Sequence, residues 1–342
     1  MILKDSDIID LVAGTLKELG RMKFQQIAQE LQDYEVMPRW LKNDRVMFDS
    51  GIGIQRTLMY KQTRGARHVG LFQKDVVNVA SVIKQMNIGW VHATNNWAFE
   101  RRETLMNKGS ALVFKVIEPR RVDCMLGLAE ELEEKAWSLP AVDNEVDPFG
   151  IPYWIVKNSS EGFNGGAPSG HTTVAGVNPT SVPKWKNYTN TYINVTKLDL
   201  IKKLRTAYRK IGWKSPVSVQ DYREGRGDTF RLYMNEATLN AIELLGESQN
   251  DNLGNDIASK DDTIVFKKHP CVWISYLDAD TQYPVYMINH SCFNPVVLEG
   301  DYLRETEPEK AADSHNTFEV FVDLSYNYIC IDRRRNAVLY IA

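Results

Sequence analysis

The chain of 342 residues carries 41 Lys and Arg against 44 Asp and Glu, a net charge of −3, with 43% hydrophobic and 25% charged residues. These are ordinary values for a folded chain of about two domains or one large one, and they exclude a disordered, collagen-like or coiled-coil protein and a polycationic nucleic-acid binder. No stretch approaches the ~18 consecutive apolar residues of a membrane-spanning helix, and the start, MILKDSDIID, lacks the basic leader and apolar block of a secretory signal.

Residues 1–35 read as helical. Asp5 or Ser6 caps a run with Ile8, Ile9, Val12, Leu16 and Leu19 at helical spacing, Gly20 stops it, and Lys23 to Leu31 adds a short amphipathic piece. From Arg39 to Leu71 short extended runs (VMF, TLMYKQ, HVGLF) alternate with Gly51, Gly53, Gly65 and Gly70, a hairpin-like signal with no core of its own. Asp75 to Met86 and Trp97 to Met106 read as helices. The strongest helix has Val122, Met125, Leu126, Ala129, Leu132 and Ala136 on one face and Glu130, Glu131, Glu133 and Glu134 on the other, with Pro140 ending it. Upstream, SALVFKVIE fits either an earlier part of that helix or a strand, and Pro119 is expected to bend or break a continuous helix.

Residues 141–190 are rich in Gly, Pro, Asn, Ser and Thr and read as a long irregular connection. Thr196 then opens a helix, with Asp199 at the capping-box position and Leu200, Leu204, Tyr208 and Ile211 as its buried stripe, closed by Gly212. Asn235 caps a shorter helix closed by Gly246. Beyond a polar loop the strands TIVFK, CVWISYL, PVYMIN, FEVFVDL, YICID and VLYIA follow. The fold class is α+β, with helices interleaved among mostly antiparallel strands.

Few motifs suggest chemistry. Gly165 to Thr172 has the spacing of a phosphate-binding loop, but His171 replaces the lysine that would hold the phosphates, so a plain loop is the better reading. His269-x-Cys271 and His290-x-Cys292 place two potential ligand pairs on strands, enough in principle for a zinc site; otherwise the cysteines are core thiols, as Cys124 and Cys330 are read to be. Asp278-x-Asp280 reads as a hairpin turn. No nucleophilic triad, H-E-x-x-H or complete G-x-G-x-x-G occurs, and no cofactor or catalytic residue is assigned.

The order of segments is itself informative. A helical arm, a Gly-punctuated hairpin, the acidic-faced helix RRVDCMLGLAEELEEKAW, the connection FGIPYWIVKNSSEGFNGG, the helix TKLDLIKKLRTAYRKIGW and the strand-rich end FEVFVDLSYNYICIDRRRNAVLYIA succeed one another. This resembles the major capsid protein of tailed bacteriophages, with the Hong Kong 97-type coat fold. The resemblance implies an N-terminal arm (1–38), an extended β-hairpin loop (39–75), a peripheral domain (76–194) with its spine helix at about 109–139, an axial domain (195–300) and return strands to the peripheral domain (301–342). It also implies hexamers and pentamers of the chain in an icosahedral shell around double-stranded DNA, a virion location after assembly in the host cytoplasm, and partners such as a portal and a decoration protein. Because the chain begins at the arm, a separate scaffolding protein or an already processed chain is expected. Some members of the family cross-link their subunits covalently; Lys61 lies in the hairpin, but the sequence does not place its partner. Two other classes of function stay open on the residues: a cytoplasmic metal-dependent enzyme using His269, Cys271, His290 and Cys292, and a nucleic-acid module using the basic stretch 197–231.

Charge distribution gives the interface candidates. Residues 39–67 hold Arg39, Lys42, Arg45, Arg56, Lys61, Arg64 and Arg67 against Asp44 and Asp49, while residues 299–309 hold Glu299, Asp301, Glu305, Glu307 and Glu309 against Arg304. With the loop laid over the next subunit, as the resemblance implies, Arg56, Lys61, Arg64 and Arg67 are expected to meet this acidic segment across the seam.

Overall fold

The computed structural model describes residues 34–42, 46–63, 66–71, 74, 81–106, 110–142, 146–212, 230–250, 264–267, 269–312 and 314–342. The expected arm helices before residue 34 lie outside the described residues. The described chain enters through a π-helical turn, Val36–Trp40, whose Val36 and Trp40 side chains are buried. The Trp40 ring lies 5.5–6.0 Å from the rings of Trp137, Tyr233, His290, Phe293 and Tyr328, and its indole N–H donates to the Tyr233 hydroxyl at 3.2 Å. This aromatic nest gathers residues from both ends of the sequence.

Strand β1 (Met47–Asp49) follows, then β2 (Ile54–Met59), which pairs antiparallel with β3 (Ile83–Ile88). The hairpin therefore closes on residues 83–88, which the sequence reading placed partly in a helix over 75–86. Met86 and Ile88 are buried while Gln85 and Asn87 are exposed, the two-residue alternation of a strand. The same correction holds for Trp97 to Met106. Strand β4 (Val91–Glu100) buries Trp97 and Phe99 two apart, and helix α1 is confined to Arg101–Met106.

Helix α2 (Ser110–Trp137) runs through Pro119 without a break, so SALVFKVIE is helical. Arg120, next to the proline, is held by Glu103 at 2.7 and 2.9 Å and by the Ala98 carbonyl at 3.1 Å, which ties the helix to β4 and α1 where one backbone bond is missing. The buried stripe is Ile117, Cys124, Leu128, Leu132 and Ala136, with Met125 only partly buried. Glu133 is buried as well, contrary to its expected place on the solvent face.

After the short helix α3 (Ile151–Trp154) and strand β5 (Gly162–Gly165), an irregular stretch leads to β6 (Asn187–Tyr192). Helix α4 (Leu200–Ile211) begins four residues after Thr196, where the sequence reading opened it, with Asp199 at its N-cap. Thr196 Oγ accepts the Asp199 N–H at 3.2 Å, and the Asp199 carboxylate accepts the Ile193 and Asn194 N–H groups at 2.7 and 3.0 Å and pairs with Lys203 at 2.5 Å. Burial opposes ionisation there, yet these donors prevail and hold the Asp199 carboxyl down at about 2. Asp199→Ala is expected to lower stability by about 1 kcal/mol and to speed amide exchange at Ile193 and Asn194, whose N–H groups the carboxylate accepts; unchanged exchange there would mean that Asp199 does not hold the approach to α4.

Strand β7 (Phe230–Met234) leads to helix α5 (Glu236–Asn250), which passes its expected stop at Gly246. The remaining strands are β8 (Val265–Phe266), β9 (His269–Trp273), β10 (Val285–Asn289), β11 (Phe293–Leu298), β12 (Arg304–Glu305), β13 (Glu309–Lys310), β14 (Thr317–Cys330) and β15 (Ala337–Ile341). Two sheets result. In the first, β14 carries β4 along one edge and β11, β12 and β13 along the other, with β1 added parallel to β11. The second has the order β5-β6-β15-β10-β7-β9-β8. One face of this second sheet, with Leu232, Met287 and Leu339, packs on Leu200, Leu204, Ala207 and Ile211 of α4; the other, with Tyr233, Tyr286, Ile288 and Val338, joins the main core under α2. The molecule is α+β, as expected.

Candidate subunit interface

The β2–β3 hairpin has apolar side chains on both faces, with opposite fates. On its inward face Ile54, Leu58, Met86 and Ile88 are buried in the main core, and the Asn87 N–H donates to the Ala175 carbonyl at 3.3 Å. Toward its tip Met59 and Ile83, paired across the two strands, are 70% and 57% exposed, and Leu71 is 93% exposed. Exposed apolar side chains gathered on one projecting element mark a surface made to be covered.

What fixes the hairpin's direction is the segment before it. Glu133 accepts the Glu35 and Val36 N–H groups at 3.0 and 2.8 Å and the Trp137 indole N–H at 2.9 Å, so a carboxylate of α2 caps the π-helical turn. Burial pushes its carboxyl up, with the nearby Glu35 charge adding to the effect, against these three donors. Glu35 itself pairs with Arg39 at 3.0 Å and Arg231 at 3.2 Å. The Tyr302 hydroxyl donates to the Leu41 carbonyl, and β1 lies beside β11, so the hairpin leaves from a root clamped on three sides.

A second clamp orders the Gly-rich connection. Arg333 is fully buried and donates to the carbonyls of Trp154 (2.7 Å), Trp185 (2.8 Å), Gly165 (3.3 Å) and Gly166 (2.8 Å) and to Asn187 Oδ1 (3.2 Å). Burial lowers its guanidinium to about 10, which leaves it charged at neutral pH. The loop with phosphate-binding spacing thus turns carbonyls toward a cation. That is the reverse of an anion cradle, which needs N–H groups pointing inward.

The sequence-derived charges are distributed as follows. Arg56 pairs with Asp49 of its own chain at 2.7 Å. Burial would raise the Asp49 carboxyl, but Arg56 and the Ser50 N–H outweigh it and hold it below its ordinary value. Lys61 is exposed, Arg67 donates to the Lys74 carbonyl at 3.0 Å, and Arg64 lies outside the described residues. In the acidic segment Glu305 is gripped by Arg121 of α2 at 2.6 and 3.1 Å, and Asp301 is bonded to Ser325 and lies 3.4 Å from Arg304. Glu299, Glu307 and Glu309 are exposed. Within one subunit the two segments touch where each begins: the Tyr302 hydroxyl donates to the Leu41 carbonyl, the Phe48 and Tyr302 rings lie 5.9 Å apart, and the Glu299 N–H donates to the Asp49 carbonyl at 3.0 Å.

The His/Cys set does not converge. Strand β7 lies between β9 and β10, and His290 and Cys292 fall in the turn between β10 and β11 rather than on a strand. His269 Nε2 lies 3.0 Å from the Tyr208 hydroxyl on the α4 side, and His290 Nε2 lies 2.8 Å from the Tyr233 hydroxyl beside Trp40. Burial pushes the Cys271 thiol up to about 12 and the Cys292 thiol to about 11, which disfavours the thiolates a zinc site requires. Among the described residues, no group of three or more His, Cys, Asp or Glu is placed to hold a metal ion. Asp278 accepts the Glu236 N–H and the Trp273 indole N–H, both at 2.8 Å, as befits a turn. Of the basic stretch 197–231, residues 213–229 lie outside the described residues, and Arg231 is committed to Glu35. No helix among the described residues is long and apolar enough to cross a membrane.

No family model matches the sequence, and no curated protein matches it. Solved structures do. The chain is similar to the capsid asymmetric unit of cyanophage A-1(L), with a TM-score of 0.65 at 12% identity over 93% of this chain and 95% of that one. It is similar to the capsid of an empty GTA particle (TM-score 0.60, 10% identity, 94% of each chain) and to the capsid of Myoviridae phage XM1 (TM-score 0.52, 9% identity, 95% of this chain and 98% of that one). The chain has the fold of these phage capsid subunits, the Hong Kong 97-type coat architecture that its order of segments led us to expect.

Proposed function

We propose that the chain is a major capsid protein: it assembles as hexamers and pentamers into an icosahedral shell around double-stranded DNA, and its place is the virion. The observation that carries this reading is that the likeness to capsid subunits runs through more than nine-tenths of both chains. The role is structural rather than catalytic. A scaffolding protein, a portal and packaged DNA are the partners this role calls for, with assembly in the host cytoplasm. Lys61, Glu299, Glu307 and Glu309, exposed in the subunit, are our candidates for contact between copies.

The test is electron microscopy and size-exclusion chromatography of the purified protein over a range of salt and concentration, with and without its scaffolding protein. Closed shells, hexamers or pentamers are the expected products; a subunit that stays monomeric throughout overturns the reading. The hairpin has its own test. Deleting residues 61–80 and joining β2 to β3 by a short turn should leave a subunit with an unchanged circular dichroism spectrum that forms no shells. Cutting over 48–70 would instead remove β2 and uncover Met86 and Ile88, so loss of assembly there would be uninformative.

A further inference from the structure

Two adjoining hollows lie against the turn that joins β14 to β15, the smaller of them also lined by the hairpin. The larger, of about 330 Å³, is walled by Phe163, Pro183 and Ile211 and rimmed by Lys184, Lys210 and Arg334. The smaller, of about 80 Å³, runs beneath Met59 and Lys84 and shares Lys184 and Arg334 with the first. Its Lys84 ammonium lies 5.4 Å over the Tyr60 ring. The fold thus brings cations from four distant parts of the sequence to one cleft: β3, the irregular stretch before β6, the end of α4, and the turn after β14.

The one carboxylate in the lining, Asp332, is already engaged by both guanidinium arms of Arg334, at 3.0 and 2.9 Å. Lys184 and Lys210 are exposed at the rim. Like charges drawn together in a chain of net charge −3 repel one another, and a breach of that kind is expected where a ligand of opposite charge binds. The hollow is apolar within and charged at its mouth. That shape suits carboxylates that lie across the rim against the lysines.

We propose that this cleft receives the acidic segment Glu299–Glu309 of a second copy of the chain. Two of that segment's acids are spent inside the subunit, Glu305 on Arg121 and Asp301 on Ser325. Glu299, Glu307 and Glu309 remain exposed. Met59 and Ile83 need cover from a neighbour and Met59 lines the cleft, so a copy that covers them comes to lie over Lys84 and Lys184. This inference rests on the shell-forming role and moves the electrostatic contact from the hairpin arginines to the lysines of this cleft.

Three full-length variants test it: Lys184→Glu with Lys210→Glu, Glu307→Lys with Glu309→Lys, and all four changes together. In low salt each double variant should assemble about tenfold or more slowly by light scattering, and the fourfold variant should recover most of the rate, because complementary charge acts chiefly on association. As a position-specific readout, K184C combined with E307C should give covalent dimers on a non-reducing gel after assembly; the four native cysteines are buried and give no background. Wild-type rates in the double variants, or a fourfold variant no faster than either double, overturn the proposal while shells still form. Salt-sensitive duplex DNA binding that is lost in K184E/K210E, with assembly unchanged, assigns the cleft to nucleic acid and also overturns it. Failure of the wild-type chain to assemble overturns the shell reading, and this inference with it.

Discussion

Arg333→Met is expected to lower the stability of the isolated subunit by about 3–5 kcal/mol, measured by urea unfolding before assembly. The side chain is buried and satisfies five acceptors from three separate stretches of chain. A methionine fills similar volume but takes the guanidinium donors from the four carbonyls, at about 1–3 kcal/mol for each left unpaired that water cannot reach, while Asn187 Oδ1 keeps the Val156 N–H. Arg333→Lys keeps the charge, yet its point-like ammonium lacks the planar fork that reaches Trp154, Trp185 and Gly166 together, so it should recover only part of the loss. Limited proteolysis gives the local signature: cleavage between residues 156 and 186 should appear in Arg333→Met well below its unfolding midpoint. An Arg333→Met subunit as stable as its parent would mean that the connection holds its shape without the clamp.

Glu133→Ala should cost a comparable amount, about 3–4 kcal/mol, because it strands the Glu35 and Val36 N–H groups and the Trp137 indole N–H in a buried site. Here the pH dependence is diagnostic. Burial raises the folded-state carboxyl above its unfolded value, so between those two values the folded chain binds more protons than the unfolded one. Stability from this group therefore increases as pH falls through the folded value toward the ordinary carboxylate value of 4.5. Glu133→Gln removes the titration. The wild type should accordingly gain stability relative to Glu133→Gln on acidification from neutral pH, and parallel pH profiles for the two would show that Glu133 does not titrate between the folded and unfolded states.

How far these features could be read in advance depends on the range of the interactions that make them. Helix α4 was legible because Thr196, Asp199 and the apolar positions that follow all act within a few turns. The late strands were legible for the same reason, since FEVFVDL and VLYIA alternate locally. Strand β3 was not, because IKQMNI acquires its strand character from β2, more than twenty residues earlier. Glu133 looks like its neighbours Glu131 and Glu134 in a helical wheel, and only a backbone segment about a hundred residues upstream distinguishes it. Arg333 is likewise the first of three consecutive arginines, of which Arg335 is buried as well, and no local pattern tells which of them clamps the connection. The His/Cys pairs misled in the opposite direction: their spacing suits a shared face, but β7 lies between β9 and β10, and the second pair falls in a turn. The order of segments survived all of this, as fold identity rests on sequence-wide succession rather than on any one side chain.

The position of the two last strands has a consequence for synthesis. Strand β14 is the common partner of β4, β11, β12 and β13, and β15 stands between β6 and β10. A chain still on the ribosome, not yet extended past Thr317, lacks the strand on which the first sheet is built, and in the second it has β10, β7, β9 and β8 but not the β15 that joins them to β6 and β5. Pairings this distant in sequence form slowly, and open strand edges in the interval invite wrong partners. Both sheets are thus completed only when residues 317–341 are available, and until then their unpaired edges need shielding.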